Sequence, residues 1–122
     1  MYMKFASQRF DEQVVKILLR QCWSIESSSL WTEQNPACGQ CGVTAIVIQN
    51  QFGGEILKTL IDGRWHFYNR IEGKTYDLTI DQFQRLPNYL DLPSNREEAF
   101  ADTNQTQYDY LWNRFDRAFN PY

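Results

Sequence analysis

The chain has 122 residues, 43% hydrophobic and 16% aromatic, which supplies one core over 1–122 and excludes two independent ones. Twelve basic against fifteen acidic side chains give a net charge of −3, which argues against a general electrostatic grip on nucleic acid or anionic lipid. The excess is local: residues 72–122 carry five basic and nine acidic side chains, a balance that suits basic ligands.

At the N-terminus, Met1-Tyr2-Met3-Lys4-Phe5 lacks the apolar core and cleavage site of a secretory signal, which predicts a cytoplasmic protein. Three cysteines (Cys22, Cys38, Cys41) are an odd number, so free thiols are expected rather than a disulfide framework. A first helix spans about Asp11 to Trp23, with Val14, Ile17, Leu18 and Cys22 on its apolar face and Gln13, Lys16 and Arg20 opposite. A polar loop from Ser24 to Ala37 follows, anchored by Trp31. A second helix runs from about Cys41 to Gln51; it is apolar nearly all round, hence central, and Gly53-Gly54 stop it. Its apolar run, Val43 to Ile48, is far shorter than the roughly 20 residues of a membrane span.

Three strands come next, Glu55 to Ile61, Arg64 to Ile71 and Lys74 to Leu78. Asp62-Gly63 and Glu72-Gly73 between them are two-residue hairpin signals, predicting an antiparallel meander. Thr79 and Gln82 form a capping-box pattern that opens a short helix ended by Pro87. Pro87 to Asn95 reads as an irregular connection. The tail, Asn104 to Phe119, is a helix with Tyr108, Leu111, Trp112, Phe115 and Phe119 on one core-facing stripe. The fold class is therefore α+β.

The chemistry centres on three residues. Cys41 opens the central helix, where unpaired N–H groups and the helix dipole favour a thiolate, so its thiol should titrate below the usual value of about 8.5. His66, the single histidine, lies on the middle strand. With a two-residue turn at Glu72-Gly73, Tyr68 falls opposite Asp77 and His66 opposite Thr79, so His66 and Asp77 share one face as diagonal neighbours. Asp77 can then orient His66 while the other ring nitrogen faces the thiol, a Cys41–His66–Asp77 triad. The main-chain N–H of Cys41 and the amide of Asn35 or Gln40 are candidate oxyanion donors.

The stretch Asn35-Pro36-Ala37-Cys38-Gly39-Gln40-Cys41 resembles the nucleophile segment of papain-like cysteine peptidases, and Asn35 stands at the offset of their oxyanion-hole amide. His66 to Thr79 resembles the His-to-Asp hairpin of transglutaminase-like enzymes. NPACGQC, AIVIQ, FGGE, HFYNR and YDLT, in this order, resemble the small bacterial YunG-like family over roughly Cys22 to Phe83. The resemblance implies a compact papain-like arrangement with Cys41 as nucleophile, His66 as base and Asp77 as orienter. The short chain and Asn35 in place of the commoner Gln favour a small or exposed acyl substrate over long-peptide cleavage.

The expectation is a cysteine-dependent hydrolase or acyl-transferase acting on an amide, ester or thioester of a small-molecule or peptide-like substrate. It needs no cofactor and no metal, and has neither nucleic acid nor membrane as partner. Competing readings are a non-catalytic module binding a peptide or partner through Trp65, Phe67 and Tyr68, and a redox function of Cys38-x-x-Cys41. Zinc on that motif would require Cys22 and His66 as further ligands.

Overall fold

A computed structural model describes residues 9–121; the Met1–Phe5 stretch considered above lies outside the described residues. Helix α1 is Glu12–Cys22, started by Asp11, whose side chain accepts from the Val14 N–H at 3.1 Å. Its buried seam is Val15, Leu19 and Cys22, spaced i, i+4, i+7. Val14 and Ile17, placed on the apolar face by the sequence, are 45% and 57% exposed. The helix is turned by about one residue, and Leu18 is left packing at the border of the core.

Helix α2, Cys41–Phe52, buries every residue from Cys41 to Ile48. It closes when the Gly53 N–H donates to Gln49 O at 2.8 Å. A buried helix must satisfy its few polar groups internally, and Thr44 does so by accepting from Trp23 Nε1 at 2.9 Å.

The strands are β1 Glu55–Ile61, β2 Arg64–Ile71, β3 Lys74–Tyr76 and β4 Leu92–Pro93, all pairing antiparallel in the order β3-β2-β1-β4. Both hairpin turns have positive φ at each central residue, 49° and 78° at Asp62-Gly63, 51° and 81° at Glu72-Gly73. That handedness matches the strand twist and fixes the register. Asn69 pairs with Tyr76 and Arg70 with Thr75, which continues to Tyr68 opposite Asp77 as the turn length requires. Strand β3 ends two residues earlier than its composition suggests. Asp77 Oδ1 accepts from the Thr79 N–H at 3.2 Å, a local turn that competes with the ladder.

The expected helix after Thr79 is a single 3₁₀ turn, Ile80–Gln82. Gln82 Nε2 donates to Thr79 Oγ1 at 2.9 Å instead of helping to cap the turn, and Phe83 is already extended. Within the connection that follows, β4 adds to β1 through Leu57↔Pro93 and Lys58↔Leu92. Helix α3, Arg96–Phe100, is then capped by Asn95, whose side chain accepts from the Glu98 N–H at 2.9 Å. Helix α4, Gln105–Phe119, is capped likewise by Asn104 and buries Leu111, Phe115 and Phe119; Tyr108 and Trp112 are only half-buried.

Helix α2 separates two apolar clusters. One lies against α1 and α4 and contains Val15, Leu19, Val47, Leu111 and Phe115. The other joins Cys41, Ala45 and Ile46 to Ile56 and Phe67 of the sheet and to Ala99 of α3. The architecture is α+β, and among the described residues no helix is long and apolar enough to cross a membrane.

Candidate active site

Packing α2 against β2 brings the start of the helix to the middle of the strand. Cys41, the first helical residue, and His66 of β2 line one cleft of about 360 Å³. Its walls also include Ser28, Cys38, Gln82, Phe83 and Asp102. Cys41 is 8% exposed and His66 3%.

His66 Nε2 lies 2.7 Å from Asp77 Oδ2. The same oxygen accepts from Tyr89 Oη at 2.6 Å, while Oδ1 accepts from Thr79 N and Thr79 Oγ1 at 3.2 and 3.3 Å. An ionised carboxylate only accepts, so Nε2 carries the proton in this arrangement and Nδ1 is the nitrogen left to take one. The ring is held further by Phe83, edge-on at 4.8 Å, and by Tyr68, stacked at 5.9 Å. Burial, together with the Asp77 carboxylate, pushes the Tyr89 hydroxyl above the ordinary tyrosine range. Tyr89 therefore stays a donor at physiological pH.

The thiol departs from expectation. Burial pushes Cys41 up to about 12, the Asp102 carboxylate adds to this, and a hydrogen bond with the Phe67 main chain acts in the opposite direction. Cys41 Sγ donates to Asp102 Oδ2 at 3.4 Å, and the Gly42 N–H donates to the same oxygen at 3.2 Å. Asp102 thus caps α2 from outside the helix, a role the Gln40 side chain does not fill. The cap places negative charge where the helix dipole was expected to favour a thiolate, and the resting thiol is neutral. Asp102 is exposed as a residue, yet partial burial of its carboxyl raises its pKa, opposed by the bonds from Cys41 and Gly42 and by Arg64 and His66.

Gly42 permits the approach. A Cβ there would lie 2.7 Å from Ala99 O and 2.8 Å from the Asp102 side chain.

Neither candidate oxyanion amide lines the cleft. Asn35 Nδ2 donates to Gln82 O at 3.4 Å, and Gln40 is fully buried with no hydrogen-bond partner for its side chain among the described residues. The amides that do line it are Gln82 and Gln107. Gln82 Oε1 accepts from the Gly39 N–H at 3.4 Å, and Gln107 Oε1 accepts from Thr103 Oγ1 at 2.9 Å. Tyr89, Asp102 and Gln107 escaped the sequence reading because they lie in the connection, in the turn after α3 and in the first turn of α4, with no periodicity pointing to the site.

The three cysteines are free. Cys38 shares the cleft with Cys41, whereas Cys22 belongs to the other apolar cluster. Among the described residues no group of three or more His, Cys, Asp or Glu is placed to hold a metal ion.

The family model described as YunG protein matches residues 11–120, which takes in every element from α1 to α4. The chain belongs to the YunG family. It is 58% identical over 106 residues to the uncharacterized protein YunG of Bacillus subtilis (strain 168), an alignment covering 87% of this chain and 92% of that one. The YunG family match therefore includes Cys41, His66, Asp77, Tyr89 and Asp102 within its span. No solved structure matches the chain.

Proposed function

We propose that this YunG family member is a cytoplasmic cysteine-dependent hydrolase or acyl-transferase, a single domain of papain-like arrangement acting on an amide, ester or thioester. The observation that carries the proposal is the shared cleft of Cys41 and His66, with His66 tied through Nε2 to Asp77. A buried imidazole so oriented has a function in proton transfer that a merely packed one lacks.

In the reaction, His66 Nδ1 takes the thiol proton and Sγ attacks the acyl carbon. His66 returns the proton to the departing amine, alcohol or thiol, leaving a thioester on Cys41. Water or a second nucleophile then resolves it. Asp77 and its donors keep the ring in one orientation through both transfers. The main-chain N–H of Cys41 is the proposed oxyanion donor. Gln82 and Gln107 are better placed than Asn35 or Gln40 to supply the second, since they line the cleft. A thiol that is neutral at rest suits a mechanism in which proton and nucleophile move together.

The test is acyl trapping. Incubation with a p-nitrophenyl ester of a small carboxylic acid should release nitrophenol and leave one acyl group on the Cys41 peptide in intact-mass and peptide mass spectra. His66→Ala should suppress the adduct by about a hundredfold, the lower end of general-base contributions. Acylation spread equally over Cys22, Cys38 and Cys41, unaffected by His66→Ala, would reject the proposal.

A further inference from the structure

Asp102 sets a carboxylate beside the proposed nucleophile, where acyl transfer by itself has no use for one. A carboxylate within hydrogen-bond distance of the nucleophile opposes the very charge that the nucleophile must develop. Asp102 Oδ2 is bonded to two neutral donors, the Cys41 thiol and the Gly42 N–H, and among the described residues no Lys, Arg or His nitrogen lies within ion-pair distance of it. Arg64 and His66 influence it from farther off. Asp62, on the same cleft wall, adds a second negative charge, and Arg64 is the cleft's single guanidinium. The partly buried carboxylate lines the space an acyl group must enter and, among the described residues, has no counter-ion within ion-pair distance.

Resting on the acyl-transfer reading, we infer that Asp102 is the specificity-determining residue of the cleft, selecting acyl donors with an ammonium or guanidinium group near the reacting carbonyl. Such a cation pairs with Asp102 Oδ2 and takes the place of the thiol as its donor. Two consequences follow together. The substrate is anchored with its carbonyl beside Sγ, and the charge that disfavours the thiolate is offset, so the S–H is released to His66 Nδ1. Substrates without the cation meet Cys41 in its held, neutral form. Gly42 fits this account, because its missing side chain is what lets Asp102 reach the sulfur and the helix start at once.

Charge-matched thiol reagents test it without knowledge of the substrate. In 2-aminoethyl methanethiosulfonate the group transferred is cationic; in the methyl and 2-sulfonatoethyl analogues it is neutral and anionic. In each, Sγ attacks the outer sulfur, an S–S bond forms, the S–SO₂ bond breaks with departure of methanesulfinate, and the thiol proton leaves through His66 to solvent. Rates are read separately at Cys41 and Cys38 by peptide mass spectrometry and divided by the rates with free 2-mercaptoethanol.

The cationic reagent should be favoured over the anionic one at Cys41 by about tenfold or more, the low end of the rate effects that charge in a cleft produces. In Asp102→Asn, which keeps an oxygen for the Gly42 N–H, the preference should disappear, and the rate with the neutral reagent should rise. The preference in the unsubstituted protein stands as evidence even where the variant folds poorly. Equal rates at a Cys41 that still depends on His66, or a preference for the anion, overturn the inference and leave the acyl-transfer reading standing. A Cys41 indifferent to His66→Ala overturns both.

Discussion

Asp77 receives four donors, one each from His66 and Tyr89 and two from Thr79, which is as many as a carboxylate's lone pairs accommodate. Removing one should disturb the ring's orientation more than the fold. Tyr89→Phe is expected to cost about 1 kcal/mol in urea unfolding, the usual net value of a lost hydrogen bond. It should also slow Cys41 acylation several-fold, and an unchanged rate would show that Tyr89 only packs. Cys41 itself gives a pH signature. Its thiol is raised from 9.0 to about 12 in the folded chain, so between those values the unfolded chain loses this proton and the folded chain keeps it. Stability contributed by the buried thiol is complete below pH 9 and is lost as pH rises towards 12. Between pH 8 and pH 10.5 the unsubstituted protein should lose on the order of 1–2 kcal/mol more than Cys41→Ala does, measured by urea midpoints at both values.

Element by element, burial ranks the apolar stripe of α4. Phe115 is fully buried and touches both Phe52 and Phe119, whereas Trp112 packs from the edge. Phe115→Ala should cost about 3–5 kcal/mol, and Trp112→Ala distinctly less, in thermal or urea unfolding. The reverse order would mean that α4 is rotated. The strands of the meander were legible in the sequence because their turns are chemical: an acidic residue and a glycine with positive φ, twice, set the strand ends and the pairing of His66 with Asp77's face. The seam of α1 was less legible, since Val14, Val15, Ile17, Leu18 and Leu19 offer two overlapping stripes and only packing chooses between them. Strand β4 carries no signal of its own. It exists because the edge of β1 offers unpaired main-chain groups, and Ser94 N–H donates to Ile56 O at 2.9 Å as the chain passes. Helix α3 did leave a trace, Asn95 followed by Glu98 at capping-box spacing.

For the molecule as a whole, the apolar helix α2 decides where the chemistry can be. Buried on both sides, it packs against β2 with its first turn beside His66, and that places Cys41 and His66 on one cleft. This much could be read from an all-apolar helix that opens at Cys41, after Cys38-Gly39-Gln40, and is followed by a meander. The state of the thiol could not, because Asp102 is 61 positions away in sequence and reaches Sγ only through the packing of α3 against α2. Activation of Cys41 by His66 is read straight from the rate of iodoacetamide labelling at Cys41, followed at pH 7.5 in the unsubstituted protein and in His66→Ala. Labelling should be at least about tenfold slower in His66→Ala, with unchanged rates at Cys22 and Cys38. Equal rates at Cys41 in the two proteins would contradict it.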